Sequence, residues 1–336
     1  MALGAAGGGL VLLVIAFAVV LVIADRKLNP SVRTAPLPAI EMAEPTGSVP
    51  ANEMLFDADG SGSFQIYVAN GGGPAHQLTS DPTTDAWWPR PSPDRTRILF
   101  YRTPAGTHDK DFKQTSLWVM NADGSSPTEL LPRGAHGWNQ HGHAEWSPDG
   151  QHLVMFGGKT TNPQIWVTDA LGRQPRRLTD DGGVNLDPSW SPDGRTVVYV
   201  GCPRSLCTPG QQEVYMVPSS GGPRTRLTDD GVRDHDPYYS PDGSEIAFLS
   251  QTARPSGEQV VGSWNIRAVS ASGGAVRDVT TGADVTSLPR WSKDGRLFTH
   301  RLIYGRPGFD LWVFEPRTGQ GHPVREESFN EEYPSP

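Results

Sequence analysis

Three stretches of this 336-residue chain collect the side chains that carry protons and hold metals. "LLPRGAHGWNQHGHAEW" sets His136, Trp138, Gln140, His141 and His143 between Leu130 and Trp146. "LTDDGGVNLDPSW" supplies Asp180, Asp181 and Asp187, and "LTDDGVRDHDPYY" supplies Asp229, Asp230, Asp234, His235 and Asp236. Carboxylates of this density suit Ca²⁺, imidazoles suit a transition metal, and both can move protons. Distant in sequence, they act together only if the fold delivers them to one place.

The delivering elements are written as a repeat. "EWSPDGQHLVMFGG", "SWSPDGRTVVYVG", "YYSPDGSEIAFLS", "RWSKDGRLFTHR" and a worn copy, "RPSPDRTRILFYR", place an Asp at positions 94, 149, 193, 242 and 294, separated by 55, 44, 49 and 52 residues. Such periods belong to β-propeller blades of four strands each. A short strand ends in an aromatic (Trp88, Trp146, Trp190, Tyr239, Trp291), "SPDG" turns the chain, and a β-rich strand follows. Pro presets φ in that turn, Asp bonds nearby backbone and Gly accepts positive φ. A third strand ("SLWVMN", "QIWVTD", "EVYMVP", "NIRAVS", "DLWVFE") alternates in polarity, and a Gly-rich turn leads to an outer strand. Residues 54–79 match the last three strands of a blade, and "NEEYPSP" at the C-terminus resembles the missing inner strand. The reading is an all-β, six-bladed propeller over residues 53–336, closed by its C-terminal strand.

Composition fits. Glycines (38) and prolines (31) are abundant and only 36% of residues are hydrophobic, which suits short strands and tight turns. A net charge of −8 without basic runs excludes a nucleic-acid partner. Residues 2–24 carry no charge; as a helix they would reach roughly 34 Å, enough for a bilayer core of about 30 Å. A single transmembrane anchor is expected there, then a Pro-rich linker over residues 25–52. Arg26, Lys27 and Arg33 follow the apolar run and by the positive-inside rule argue for a cytoplasmic domain. The two cysteines, Cys202 and Cys207, argue the other way: they read as a small disulfide loop or as two unrelated thiols.

"WSPDG" with an apolar strand, "IWV" and "RRLT" resembles the PD40, or WD40-like, repeat of TolB-type six-bladed propellers over residues 53–336. That family is associated with the bacterial envelope, which implies an extracytoplasmic propeller; with the anchor expected at residues 2–24, the reading is a single-pass protein of the cell membrane, a departure from the soluble periplasmic TolB. TolB itself carries an α/β domain before its propeller; here the linker stands in that place. The same repeats precede the hydrolase domain of prolyl-oligopeptidase relatives. That domain needs a "GxSxG" elbow absent from this chain, so a serine peptidase is not expected.

In this architecture "SPDG" connects the inner strand to the second, so all its copies share one face. The hinges between blades, and the loops between second and third strands, share the other. His143, Asp187 and Asp236 then approach the mouth of the central channel. Three readings of the loops stand side by side. The Asp residues stabilise turns; or His141, His143, Asp187 and Asp236 hold a divalent cation, Ca²⁺ or a transition metal; or "NQHGH" belongs to a metal-dependent enzyme like the oligogalacturonate lyases, to which it is loosely similar. The favoured expectation is a non-catalytic module. It would bind a protein or envelope glycan through Trp138, His141, His143, Asp187, Asp234, His235 and Asp236, aided by the insertions that begin at Thr103, Cys202 and Thr252.

Overall fold

The computed structural model describes residue 37, residues 40–202, 211–251, 264–282 and 284–303, residue 306 and residues 308–336. The expected membrane span at 2–24 lies outside the described residues, among which no helix is long and apolar enough to cross a membrane. Cys207 also lies outside them; Cys202 is buried at the end of strand Thr196–Cys202.

Six four-stranded antiparallel sheets make the blades of a propeller. From the axis outward, blade 1 runs Glu331–Ser335, Met54–Ala58, Gln65–Ala69 and His76–Gln77. The inner strands of blades 2 to 6 are Thr84–Pro91, Gln140–Trp146, Val184–Trp190, Asp234–Tyr239 and Val285–Trp291. Each touches the inner strands of both neighbouring blades, so the six form a circuit.

Because blades stack on both faces, second strands are buried on both sides, and several read as continuous apolar runs rather than alternating. Ile98, Leu99, Phe100 and Tyr101 are consecutive and all fully buried. The core is therefore a set of layers between blades. Val154, Phe156, Ile165 and Val167 of blade 3 meet Val197, Tyr199, Tyr215 and Val217 of blade 4. Each such side chain contributes about 1.5–3 kcal/mol on burial.

The repeated phrase is a hydrogen-bonded knot. In blade 3 the Ser147 hydroxyl donates to Asp149 at 2.5 Å and accepts from the His152 amide at 2.9 Å, while Asp149 accepts from the Gln151 amide at 3.0 Å. Gly150, Gly194, Gly243 and Gly295 all take positive φ, 70–85°. The aromatic after the inner strand ties blades together: Trp146, Trp190 and Trp291 each donate from the indole nitrogen to a carbonyl of the preceding blade's inner strand (Arg90, Glu145 and Tyr238). Trp88, expected in that role, is displaced from it; its equivalent in the strand alignment is Pro91.

The worn copy has a use. Arg95 stands where other blades have Gly, at φ 59°. Its guanidinium donates to the carbonyls of Val49 (2.9 Å), Pro50 (3.1 Å) and Glu53 (2.7 Å), and the Val49 amide returns a bond to the Arg95 carbonyl (2.8 Å). The last residues of the expected linker are thus clasped to blade 2 instead of hanging as a tether.

Blade 1 is assembled from both ends of the described chain. Glu331, Glu332 and Ser335 pair with Ala58, Asp57 and Leu55. Asn330 binds Asp59 through its amide nitrogen (2.9 Å) and its side chain (2.7 Å), and the Tyr333 amide donates to His300 Nδ1 at 3.1 Å. Deleting residues 331–336 is expected to lower the circular-dichroism melting midpoint by at least about 10 °C, because a whole inner strand and its ladder are lost.

Charge is concentrated at this seam. Burial pushes Glu332 up to about 8, with His108 opposing and Asp57 adding. Burial also lifts Asp57 to about 6. Burial works against the His108 charge, but Asp109 and Asp57 outweigh it and push the imidazole up to about 10. A carboxyl whose folded value is raised is penalised once ionised, so its contribution to stability falls as pH climbs from about 4.5 towards 8. Glu332→Gln should therefore gain over the parent chain as pH rises, its relative melting midpoint increasing by about 4–8 °C between pH 5 and pH 9.

Candidate functional site

Every inner strand breaks register with its neighbour at the same place. In blades 2 to 6 the slip falls between Trp87 and Arg90, Gly142 and Glu145, Leu186 and Ser189, His235 and Tyr238, and Ser287 and Arg290; blade 1 slips opposite Leu55 and Asp57. Inside each slip one non-glycine residue lies in the left-handed region: Trp88, His143, Asp187, Asp236, Leu288 and Tyr333, at φ 48–59°. Five of these precede a proline (Pro89, Pro188, Pro237, Pro289, Pro334), which has no amide to lose from the ladder. A bulge re-aims its side chain at a cost of about 1–3 kcal/mol per strained residue. Six of them make a ring around the axis.

The ring members touch in order. Tyr333 packs on Trp88 at 5.1 Å, and Trp88 stacks on His143 at 4.1 Å, 5° from parallel. His143 Nδ1 meets Asp187 at 2.6 Å, and His235 Nδ1 reaches the other Asp187 oxygen at 2.9 Å. Nitrogen or carboxylate atoms of His143, Asp187 and Asp236 come within 4.8 Å of one another. Asp236 Oδ1 and His235 Nε2 are buried with no hydrogen-bond partner.

Electrostatics sharpen the cluster. Burial would raise Asp187, but His143 and then His235 outweigh it and hold the carboxyl well below its usual range. Burial would lower His143, and Asp187 carries it upward instead. Asp236 is raised, first by burial and then by the Asp187 charge. With one Nδ1 on each Asp187 oxygen, both imidazoles turn Nε2 away from it, as carboxylates orient metal-binding imidazoles.

One layer below, the residues two places further along each strand close the channel. Glu145 accepts from Arg90 (2.7 Å), Arg290 (2.8 Å) and the Tyr238 hydroxyl (3.3 Å), and Ser189 donates to the Pro237 carbonyl (2.7 Å). Burial would raise Glu145, but Arg290 and Arg90 overcome it and hold it low. Arg90 also lies 4.0 Å over the Trp88 ring, which joins the two layers.

Above the ring a cavity of about 340 Å³ opens on the hinge face, away from the "SPDG" turns. Its walls include Trp88, Phe112, Phe156 and Tyr333, with Asp109, Asp187 and Asp236 among the polar groups. Phe112 and Asp109 come from the insertion after Thr103, which folds into short 3₁₀ turns, His108–Lys110 and Phe112–Gln114. Phe112 meets His143 and Phe156 edge-on at 5.2 and 5.0 Å, and Asp109 accepts from the Tyr333 hydroxyl. The glycine of "HGH" makes room, since a Cβ on Gly142 would come within 2.6 Å of both Phe112 and Phe156.

Of the residues singled out from sequence, the structure gathers His143, Asp187, His235 and Asp236. His141 is not among them. It is buried beside Tyr101, both ring nitrogens lack a hydrogen-bond partner, and burial pushes it down to about 4. Trp138 is buried against Trp166 and Gly157 in blade 3. Asp234, two places before the ring residue, turns to the hydroxyls of Ser250 and Thr228 at 2.5 and 2.7 Å. Asp180, Asp181 and Asp229 pair with Arg177, Arg224 and Arg226, the turn-stabilising role. The aromatic walls and the Arg90–Glu145–Arg290 floor were not found from sequence; superposing the inner strands, with "DPSW", "DPYY" and "LPRW" as the key, was the available signal. The insertions after Cys202 and Thr252 lie largely outside the described residues.

No family model matches the chain. An uncharacterized protein of Agrobacterium fabrum is 28% identical over 196 residues, 56% of this chain and 62% of that one. A TolB homolog of Chlorobium chlorochromatii is 27% identical over 154 residues, 46% of this chain and 32% of its own length. An uncharacterized peptidase of Bacillus subtilis is 27% identical over 113 residues, 33% of this chain and 16% of that one. The chain thus spans less than two thirds of each of these relatives. Among solved structures, TolB of Acinetobacter baumannii superposes with a TM-score of 0.65 at 18% identity, over 86% of this chain and 68% of that one. An oligogalacturonate lyase in complex with manganese superposes at 0.51 with 16% identity, over 84% of this chain and 74% of that one, a likeness of fold. With its repeats and its six blades, the chain has the fold of a six-bladed β-propeller and is similar to TolB-like propellers.

Proposed function

We propose that this propeller is a non-catalytic binding module, anchored in the membrane by residues 2–24 and held outside the cytoplasm, with its ring closed by the C-terminal strand. It takes a protein or envelope-glycan partner on the hinge face. The observation that carries this reading is the cavity at the channel mouth, walled by Trp88, Phe112, Phe156 and Tyr333 and stopped below by Arg90, Glu145 and Arg290. A blind, aromatic-lined opening on a stiff disc suits an inserted side chain or sugar better than passage through the ring. The TolB names among its relatives support a protein partner. Against a lyase, no Lys or Arg lines the cavity among the described residues.

A photo-crosslinking residue at Thr160, on the cavity rim, should capture a partner from membranes containing the intact chain. The same residue at Asp193, on the opposite face, should capture at least about tenfold less. Equal capture from both faces would sink the assignment.

One observation favours a second occupant of the same mouth: the convergence of His143, Asp187 and Asp236, with unpartnered atoms on Asp236 and His235. On this reading a divalent transition metal binds there and stiffens the rim for the partner. Calorimetric titration with Mn²⁺ should show one site per chain, weakened about 10–100-fold in Asp187→Asn and weakened at low pH as His143 and Asp236 take up protons. Absence of binding in the parent chain would remove the metal and leave the partner site standing.

A further inference from the structure

Between blades 4 and 5, away from the channel, a polar position recurring through the propeller changes its chemistry. The residue at the start of the third strand is an amide in three blades. Gln65 donates to the Thr84 carbonyl at 2.9 Å. Gln164 accepts from Thr179 at 2.8 Å and from Asn185 at 3.1 Å, and Asn265 accepts from Thr280 at 3.2 Å. These contacts tie each blade to its hinge without charge. In blade 4 the residue is Glu213, and the inner strand of blade 5 brings Asp234 beside it where blade 4 itself has Asn185.

The result is a buried carboxylate pair with too few cations. Glu213 is 1% exposed and Asp234 is 0% exposed. One oxygen of each, and one of Asp230, lie within 4.8 Å of the others. Arg226 stands 2.9 Å from Glu213 Oε1 but also serves Asp229 at 2.6 Å. Arg267 pairs with Asp230 at 2.6 Å and lies 3.3 Å from Asp278. Two guanidiniums are therefore shared among five carboxylates. Neither buried Glu213 oxygen accepts a hydrogen bond among the described residues, and one of them belongs to the group. The junction of blade 6 with blade 1 holds a second acidic pair, Asp310 and Glu331, and there the fold supplies a buried arginine: Arg325 donates to Glu331 at 2.6 Å. Among the described residues no equivalent cation sits on Asp234, whose oxygens accept from Ser250 and Thr228.

We propose that Glu213, Asp230 and Asp234 form a Ca²⁺ site that locks blade 4 to blade 5, separate from the cavity at the channel mouth. The donors are all oxygen, which selects a hard cation. They come from a strand start, a hinge loop and the next blade, a flexible set that suits Ca²⁺ better than the strict octahedron of Mg²⁺. Carboxylates this close in a buried site repel one another until a cation joins them. The cation would stabilise the folded ring by mass action, since an unfolded chain does not hold the three carboxylates together.

The test is thermal unfolding of the full chain in detergent, stripped with a chelator and then titrated with CaCl₂. Saturating Ca²⁺ should raise the melting midpoint by about 3–8 °C. Glu213→Gln, which installs the amide of Gln164, should melt higher than the stripped parent and lose the Ca²⁺ response. Asp230→Asn, at the exposed edge, should shift the midpoint of the Ca²⁺ titration at least about tenfold. Glu129→Gln, exposed on the outer strand of blade 2, should leave the response intact. No Ca²⁺ response in the parent chain, or one that survives Glu213→Gln, would overturn the site and show that a shared proton balances the pair. Either result leaves the crosslinking of a partner at Thr160 untouched.

Discussion

The left-handed residue in each inner strand is the constraint from which the rest of the centre follows. A regular strand would present alternate side chains to the two neighbouring blades and leave the axis to backbone. The slip in register inserts a residue, turns Trp88, His143, Asp187, Asp236, Leu288 and Tyr333 inward, and brings Arg90, Glu145, Ser189, Tyr238, Arg290 and Ser335 in behind them. The strain is tolerated because each bulge is held on both sides by stacked sheets, and because proline follows in five of the six.

The two layers have different tasks because they have different chemistry. The lower one joins two guanidiniums to one buried carboxylate, with hydrogen bonds from Arg90, Arg290 and Tyr238 converging on Glu145. It fastens blades 2, 3, 5 and 6 across the axis. The upper one is left incomplete, with an aromatic half around Trp88 and a polar half in which Asp187 holds two imidazoles while Asp236 Oδ1 has no partner. Incompleteness of that kind, beneath an open cavity and beside a short inserted loop, marks a place that receives something. The arginine beneath favours the ionised form of Asp236, so the floor also conditions the mouth.

Departures from the repeat carry more information than the repeat. Arg95 in place of glycine clasps the entering segment, Glu213 in place of an amide charges one blade junction, and Gly142 beside the ring opens space for Phe112. Each replaces a residue whose job in the other blades is architectural.

The blade count, the order of strands and the one-sided placement of the "SPDG" turns were legible in the sequence, because they rest on local rules: alternation, proline and glycine in turns, and a recurring period. The convergence of His143, Asp187 and Asp236 was legible too, once the copies were superposed. What sequence could not decide was which neighbour in each strand faces the axis. His141 and His143, or Asp234 and Asp236, are two residues apart and would share one face of a regular strand. The bulge between them sends one to the channel and the other to the blade junction. The same displacement put Trp88 in the channel wall instead of between sheets. Only the packed ring sets that displacement, since the energy that holds a left-handed residue in a strand comes from sheets contributed by other parts of the chain.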